Sequence, residues 1–268
     1  MYNNETILQG WQTELRAVGK THGTITVRTS HIRRCLEHVG KPVHDVTRAD
    51  LIDWLAASNW GPAARKSARS SLRTFWQWCA ATGVCDDVAS TIPAVRQPRT
   101  VPRPCPDVMI RDAIARAPDH VALAIEIMAT TGARREECAK IRASDVVPAG
   151  RGWSLRITGK GGHTRLVPLP PHLAKRIKAR PGWTFPGGVD GHISAGWLGK
   201  LITRYLPDGY TPHKLRHRYG TTAYEHSHDL RAVQELLGHR KIDTTQVYVA
   251  VSTTSLVDSA RATWRVAS

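Results

Sequence analysis

The sequence is poor in cysteine, in acidic residues and in long apolar runs, and each shortage narrows the class of protein. Its five cysteines are odd in number and never form a Cys-x-x-Cys pair. They predict reduced, mostly buried thiols instead of a disulfide framework or a zinc site. No apolar run approaches the ~20 residues that span a bilayer, and the N-terminus lacks a signal-peptide pattern. We therefore expect a cytoplasmic protein.

Basic side chains outnumber acidic ones. The 268 residues carry 38 Lys plus Arg against 22 Asp plus Glu, a formal charge of +16, with the 41% hydrophobic content of a globular chain. Residues 1–95 hold 11 basic and 8 acidic side chains (+3), whereas 96–268 hold 27 and 14 (+13). This surplus favours a polyanionic partner, with nucleic acid first and an anionic membrane second. A merely soluble basic protein is the plain alternative.

The chain divides at a proline-rich stretch. Residues 5–82 follow helical spacing throughout, which predicts a compact bundle of about four helices. Between residues 92 and 107 five prolines are interleaved with arginines, and so many prolines cannot continue a helix. We expect a helical domain over 1–92, a stiff linker over 93–106 and a second domain over 107–268. No internal repeat or low-complexity tract interrupts this arrangement.

The second domain contains one β pattern among helical ones. Residues 153–157 alternate apolar and polar side chains, 159–162 form a glycine-rich turn, and Arg165–Leu169 returns as a partner strand. This pattern predicts a hairpin with Lys160 at its tip. Helices are expected near 108–117 and 121–131, with a new helix that starts at Ala133-Arg134, and near 171–179, 193–206, 211–226 and 230–237. The predicted fold class is therefore mainly α with a small β-hairpin (α+β).

Six residues together match the requirements of DNA strand cleavage without a metal. Thr211-Pro212 predicts a helix start that places His213 in the first turn, where an anion is favoured, with Arg216 on the same face. Arginines grip a phosphate, a lysine can protonate the leaving oxygen, a histidine can move a proton, and a tyrosine can attack phosphorus. The candidate catalytic residues are Arg134, Lys160, His213, Arg216, His239 and Tyr248.

These residues lie in four ordered motifs, through which the sequence resembles the tyrosine recombinases of the phage integrase family. Residues 131–137 (TGARREE) match the first arginine box, and 159–161 (GKG) resemble the hairpin lysine. The second box is matched by 213–217 (HKLRH). Residues 236–239 (LLGH) and 244–248 (TTQVY) match the third histidine and the nucleophile segment. The resemblance covers essentially the whole chain, because the N-terminal bundle and linker also fit the family's core-binding (SAM-like) domain.

The resemblance implies a mechanism and an assembly. Tyr248 would form a 3′-phosphotyrosyl link and release a 5′-hydroxyl, with neither ATP nor any metal or other cofactor. The two domains would form a C-shaped clamp on double-stranded core sites, and a homotetramer would exchange strands through a Holliday junction. Because the bundle starts almost at Met1, we expect no arm-binding domain, and directionality set by other means such as an accessory factor.

Supporting roles are also expected. Glu137 is interpreted as structural, either orienting Arg134 or capping a helix. His213 and His217 could hold a metal but have no third ligand at suitable spacing, so no metal site is expected. A charged helical stripe is usually a solvated surface, but the fourth helix and the linker offer DNA contacts. These candidates are Arg65, Lys66, Arg69, Arg73, Arg96, Arg99 and Arg103.

The leading prediction is a site-specific recombinase that integrates phage or mobile-element DNA in a bacterial cell, associated with the nucleoid. A Xer-type resolvase is a sub-option of this class. A type IB topoisomerase shares the same catalytic set and would relax supercoils without exchange. A DNA-binding regulator that has lost catalysis is the non-enzymatic alternative, and the intact catalytic set argues against it.

Overall fold

The computed structural model describes residues 3–96, 103–159 and 162–238. The chain folds into two compact units, Met1–Arg99 and Thr100–Ser268. Of the candidate residues, Arg99, Lys160, His239 and Tyr248 lie outside the described ranges. Within those ranges, no helix combines the length and apolarity needed to cross a membrane.

The first unit is helical, as the spacing of its apolar residues predicts. Gly40 ends the second helix in the left-handed conformation (φ 68°), which glycine adopts without a steric penalty. Thr47 and Asp50 form the predicted capping box at the start of the third. The four α-helices of its described part are α1 (Asn4–Ala17), α2 (His22–Val39), α3 (Arg48–Ala57) and α4 (Pro62–Ala81).

An aromatic cluster lies at the centre of the first unit. The ring of Phe75 on α4 lies 5.1 Å from that of Trp11 on α1 and 4.9 Å from that of Trp76, both in edge-to-face geometry. All three side chains are buried. Such pairs stabilise a core beyond the area they bury, so these rings join α1 to α4, while α2 contacts all three of the other helices.

The second unit combines seven α-helices with four strands in its described part. The helices are α5 (Asp107–Arg116), α6 (Asp119–Thr131), α7 (Arg135–Ala139), α8 (Pro171–Lys178), α9 (Ala195–Thr203), α10 (Pro212–Ser227) and α11 (Leu230–Leu237). The strands are β1 (Val146–Ala149), β2 (Gly152–Thr158), β3 (Thr164–Leu169) and β4 (Pro186–Val189). The mainly helical α+β prediction is confirmed.

Helix α6 forms the centre of this unit. Nine of its side chains are buried, and it contacts α5, α7, α9, α10 and β3. A helix that is apolar on nearly all sides belongs in a core. Its C-terminal end therefore holds the residues that follow it, including Arg134, in a fixed place.

The predicted hairpin is present and is part of a larger sheet. β2 and β3 pair antiparallel, with Ile157 opposite Arg165. β1 pairs with the other edge of β2 and gives the antiparallel order β1-β2-β3. Neither β1 nor β4 was predicted, because each has four residues and a strand that short shows no readable alternation.

Helix α10 begins where Thr211-Pro212 predicts, with Pro212 in the first turn. Thr211 is the N-cap residue as expected, but its hydroxyl makes no capping hydrogen bond to the helix. The start of the helix is instead favoured by the fixed φ of proline. Val233 and Leu237 of α11 pack against Tyr219, Ala223 and Tyr224 of α10.

Candidate active site

Arg134 lies at the junction between α6 and α7. Gly132 ends α6 with φ 63°, a conformation that favours glycine. A side chain at this position would also collide with Tyr219, because a Cβ on Gly132 would lie 2.5 Å from the Tyr219 ring. Arg134 follows in extended conformation as the N-cap of α7. Its side chain is 41% exposed, so the guanidinium lies at the surface, where a phosphate can reach it.

Glu137 is a buried carboxylate that orients Arg134. Its oxygens accept hydrogen bonds from the backbone N–H of Arg134 at 2.8 Å and from its guanidinium at 2.7 Å. The side chain is only 4% exposed. Both structural roles predicted for Glu137, capping α7 and orienting Arg134, are therefore confirmed by its contacts.

Arg165 is the second partner of Glu137. Its guanidinium donates to the two carboxylate oxygens at 3.2 and 2.7 Å, and its Nε donates to the carbonyl of Leu236 at 2.8 Å. Arg165 was not among the candidate site residues. A signal was available, because Arg165 shares the i, i+2, i+4 face of β3 with the buried Val167 and Leu169. An arginine on a core-facing position needs a buried partner.

Arg216 is almost fully buried, with 1% of its surface exposed. Its guanidinium donates to the carbonyl of Gly132 and, at 2.6 Å, to the carbonyl of Leu237. It therefore joins the end of α6 to the end of α11. Five donors on one rigid plane allow an arginine to bond to two backbones and a ligand at once.

His213 lies exposed in the first turn of α10 and next to both arginines. Loss of hydration on part of its ring, followed by the charges of Arg216, Lys214 and Arg134, lowers the pKa of His213. Its ring packs edge-on against His217, with 4.4 Å between centroids. His217 is half-buried, and its pKa falls to about 4 through desolvation and the neighbouring charges. Both imidazoles are therefore neutral near pH 7.

The structure thus brings together Arg134, His213 and Arg216. The flanking residues of two further candidates converge on the Glu137–Arg165 pair. Gly159 precedes Lys160, and a Cβ on it would lie 3.1 Å from the Glu137 carboxylate. Gly238 precedes His239, and a Cβ on it would lie 3.1 Å from Cδ of Arg165. Lys160, His239 and Tyr248 themselves lie outside the described residues.

The candidate DNA-contacting residues of the first unit fall into two groups. Lys66 and Arg73 are exposed on α4, and Arg96 is exposed beyond it. Arg65 and Arg69 are half-buried and donate to backbone carbonyls, Arg65 to Ser58 at 3.3 Å and Arg69 to Ile92 at 3.0 and 2.6 Å. In the second unit Arg103 is exposed. The exposed arginines and Lys66 are therefore better placed for an external phosphate than Arg65 and Arg69.

Two arginines and a neutral histidine at one place can bind a phosphodiester and stabilise charge on its oxygens. The sequence model of the phage integrase family matches residues 109–255, which include this whole group. The chain belongs to the phage integrase family. It is a tyrosine recombinase, an enzyme of site-specific recombination that cleaves and rejoins DNA.

Relatives of this recombinase agree with the assignment. It is 30% identical to the tyrosine recombinase XerC of Mesorhizobium japonicum over 78% of this chain and 76% of that protein. It is 32% identical to XerD of Xanthomonas campestris pv. campestris over 76% of this chain and 72% of that one. The fold matches a lambda integrase dimer bound to a COC′ core site, with a TM-score of 0.72 at 21% identity over 92% of this chain and 77% of that one.

The recombinase should lose part of its stability in acid through Glu137. Burial acts to raise the pKa of this carboxyl, but hydrogen bonds and charge from Arg165 and Arg134 outweigh it and hold the pKa at about 2, below the ordinary 4.5. A lowered folded-state pKa stabilises the protein above the unfolded value, and this stabilisation is lost as pH falls toward the folded value. The difference in unfolding free energy between wild type and Glu137→Gln should therefore shrink by about 3 kcal/mol between pH 5 and pH 2.

Denaturant titrations of both proteins at several pH values measure this difference. Glu136→Gln is the matched control, because Glu136 is exposed and its removal should leave the pH dependence unchanged. A Glu137→Gln protein whose stability falls in parallel with that of wild type over this range would contradict the pairing.

Proposed function

We propose that this recombinase integrates phage or mobile-element DNA through a 3′-phosphotyrosyl intermediate. Tyr248 attacks the scissile phosphorus, so that an O–P bond to tyrosine forms and the bond to the 5′-oxygen breaks. Lys160 gives that oxygen a proton, and His213 and His239 move the phenolic proton or donate to the phosphate. Arg134 and Arg216 stabilise the charge on the non-bridging oxygens.

The observation that carries this proposal is the buried network around Arg216 and Glu137. At the C-terminal end of α6, Arg134 is held by the Glu137 carboxylate and Arg216 by the Gly132 carbonyl, next to a histidine whose pKa is lowered. Preorganised cations stabilise developing charge without reorganising during the reaction. Because the phosphotyrosyl link conserves the energy of the phosphodiester, the proposed reaction requires neither ATP nor a metal.

The proposed reaction takes place on duplex core sites in the cytoplasm of a bacterium, with four copies of the chain exchanging strands through a Holliday junction. The +13 charge of residues 96–268 supports binding to DNA phosphates. A solved relative of the same fold is a lambda integrase tetramer bound to a Holliday junction, with a TM-score of 0.74 at 20% identity over 92% of this chain and 77% of that one. A directionality factor would be a separate protein.

A Xer-type resolvase is the second candidate, favoured by the 30–32% identity to XerC and XerD proteins. The two candidates differ in where they act. An integrase acts at the ends of a mobile element and at its insertion site, whereas a chromosome-dimer resolvase acts at a fixed chromosomal site.

Covalent capture tests the proposal and identifies the target site in the same experiment. The protein is incubated with nicked fragments of its own source genome, protein–DNA adducts are isolated after denaturation, and the attached 3′ ends are sequenced. We expect one short recurrent site with protein on the 3′ phosphate. Ends at element junctions support integration, and ends at one chromosomal locus support the Xer alternative. Absence of any adduct, or adducts on 5′ ends, would contradict the phosphotyrosyl mechanism.

A further inference from the structure

Arg165 connects two segments that approach the active site from different parts of the chain. It lies on β3, the strand that follows the hairpin turn, and bonds both to Glu137 and to Leu236 in the last turn of α11. We propose that Arg165 is a positioning residue for the cleavage reaction. It fixes β3 to the end of α11, so that Gly159 and Gly238, which precede Lys160 and His239 in sequence, are held beside the Glu137–Arg165 pair. This inference rests on the proposed phosphotyrosyl chemistry.

The bonds of Arg165 form one half of a closed network. Arg134 bonds to Glu137, Glu137 to Arg165, and Arg165 to the carbonyl of Leu236. The next carbonyl, that of Leu237, accepts from Arg216, which also bonds to Gly132, two residues before Arg134. Two adjacent carbonyls of α11 are thus held by two different arginines. Displacing either arginine releases one of the two carbonyls that precede Gly238.

Close packing leaves little freedom for this network to adjust. Gly238 has φ 65°, and a Cβ on it would lie 3.2 Å from Nη1 of Arg165. A Cβ on Gly159 would lie 3.1 Å from Oε1 of Glu137. The residues just before Lys160 and just before His239 therefore contact the two members of one ion pair. A shift of Arg165 would be transmitted to both segments, and displacements near 1 Å at a reacting group can reduce rates about 100-fold.

The network requires an arginine specifically. Three hydrogen bonds leave Arg165 in fixed directions, two to a carboxylate and one to a carbonyl. A lysine offers one compact ammonium, which can neutralise Glu137 but cannot hold its two oxygens and the Leu236 carbonyl in the same geometry. Arg165→Lys therefore keeps the positive charge opposite Glu137 but removes the hydrogen-bonded connection between Glu137 and the Leu236 carbonyl.

The test compares full-length Arg165→Gln, Arg165→Lys and Arg156→Gln with wild type. Arg156 is exposed on the neighbouring strand, so its substitution removes the same charge without touching the network. Each protein is measured for thermal unfolding, for affinity toward a nicked duplex carrying the captured site, and for the single-turnover rate of adduct formation at saturating DNA. We expect both Arg165 variants to bind within about threefold of Arg156→Gln but to cleave about 100-fold more slowly.

A second substrate distinguishes loss of the acid from loss of the whole alignment. Sulfur in place of the 5′-bridging oxygen leaves as a thiolate, which needs little protonation because thiols are far more acidic than alcohols. This substrate should restore most of the cleavage lost in Lys160→Ala. It should restore only part of that lost in Arg165→Gln, because Arg165 also packs against Gly238, the residue before His239.

The outcomes separate this inference from the proposed function. If wild type forms no adduct, the proposed chemistry fails. If wild type cleaves and Arg165→Gln cleaves within threefold of Arg156→Gln, the positioning role is wrong. If Arg165→Lys cleaves at the wild-type rate, Arg165 only compensates the charge of Glu137. If the sulfur substrate rescues Arg165→Gln and Lys160→Ala equally, Arg165 acts only through the general acid Lys160. Either result would overturn the inference. Unfolding of both Arg165 variants, or loss of DNA affinity equal to the loss of rate, would also overturn it.

Discussion

Tyr248→Phe should abolish the covalent protein–DNA adduct while leaving DNA affinity within about twofold of wild type. The substitution removes a single oxygen, and that oxygen is the proposed attacking atom. Because the proposed nucleophile is then missing, the expected loss of adduct is at least ~10⁴-fold. Denaturing gels of the nicked substrate measure the adduct, and fluorescence anisotropy of the same duplex measures binding.

Tyr219→Phe is the matched control. Tyr219 is a half-buried tyrosine on α10, and burial raises its pKa despite the charges of Arg165 and Arg216, which disfavours the phenolate that attack requires. The adduct should persist in this variant. An adduct that survives Tyr248→Phe and disappears in Tyr219→Phe would move the nucleophile to α10, and one that survives both would exclude a tyrosine at either position.

Helix positions could be predicted from sequence because their signals are local. Pro212 and the Thr47–Asp50 capping box mark helix starts, and Gly132 marks a helix end through a conformation that other residues avoid. These signals depend on neighbours within about four residues. The ordered motifs then placed Arg134, His213 and Arg216 in one site, and the structure brings those three residues together.

The partners of these residues could not be predicted in the same way. Arg165 meets Leu236 across 71 positions, and Arg216 meets Gly132 across 84. Every residue has a backbone carbonyl, so the residue types in the sequence do not show which carbonyl will accept these hydrogen bonds. The one usable signal was an arginine on the core face of β3, which requires a buried acceptor but does not identify it. Glu137 was assigned as structural because it lies one helical turn from Arg134.

Arg216→Lys should reduce adduct formation about 10³-fold and lower the free energy of unfolding by about 3 kcal/mol. The lysine would place a compact ammonium where a buried guanidinium now bonds to the carbonyls of Gly132 and Leu237. It cannot satisfy both backbones and also present a bidentate pair to a phosphate. Single-turnover cleavage at saturating DNA and denaturant unfolding measure the two losses separately.

Arg218→Lys provides the control on the same helix. Arg218 is partly exposed and bonds to Asp107 at 2.6 and 2.7 Å, an ion pair that a lysine can retain in part. The cleavage rate of Arg218→Lys should stay within about threefold of that of wild type. If instead Arg216→Lys cleaves within tenfold of the wild-type rate, Arg216 has no part in the mechanism. If Arg216 and Arg134 act on one phosphate through one network, as proposed, their effects should not add. The double variant Arg134→Lys/Arg216→Lys should be nearly as active as Arg216→Lys alone, and fully additive losses would show that the two arginines act independently.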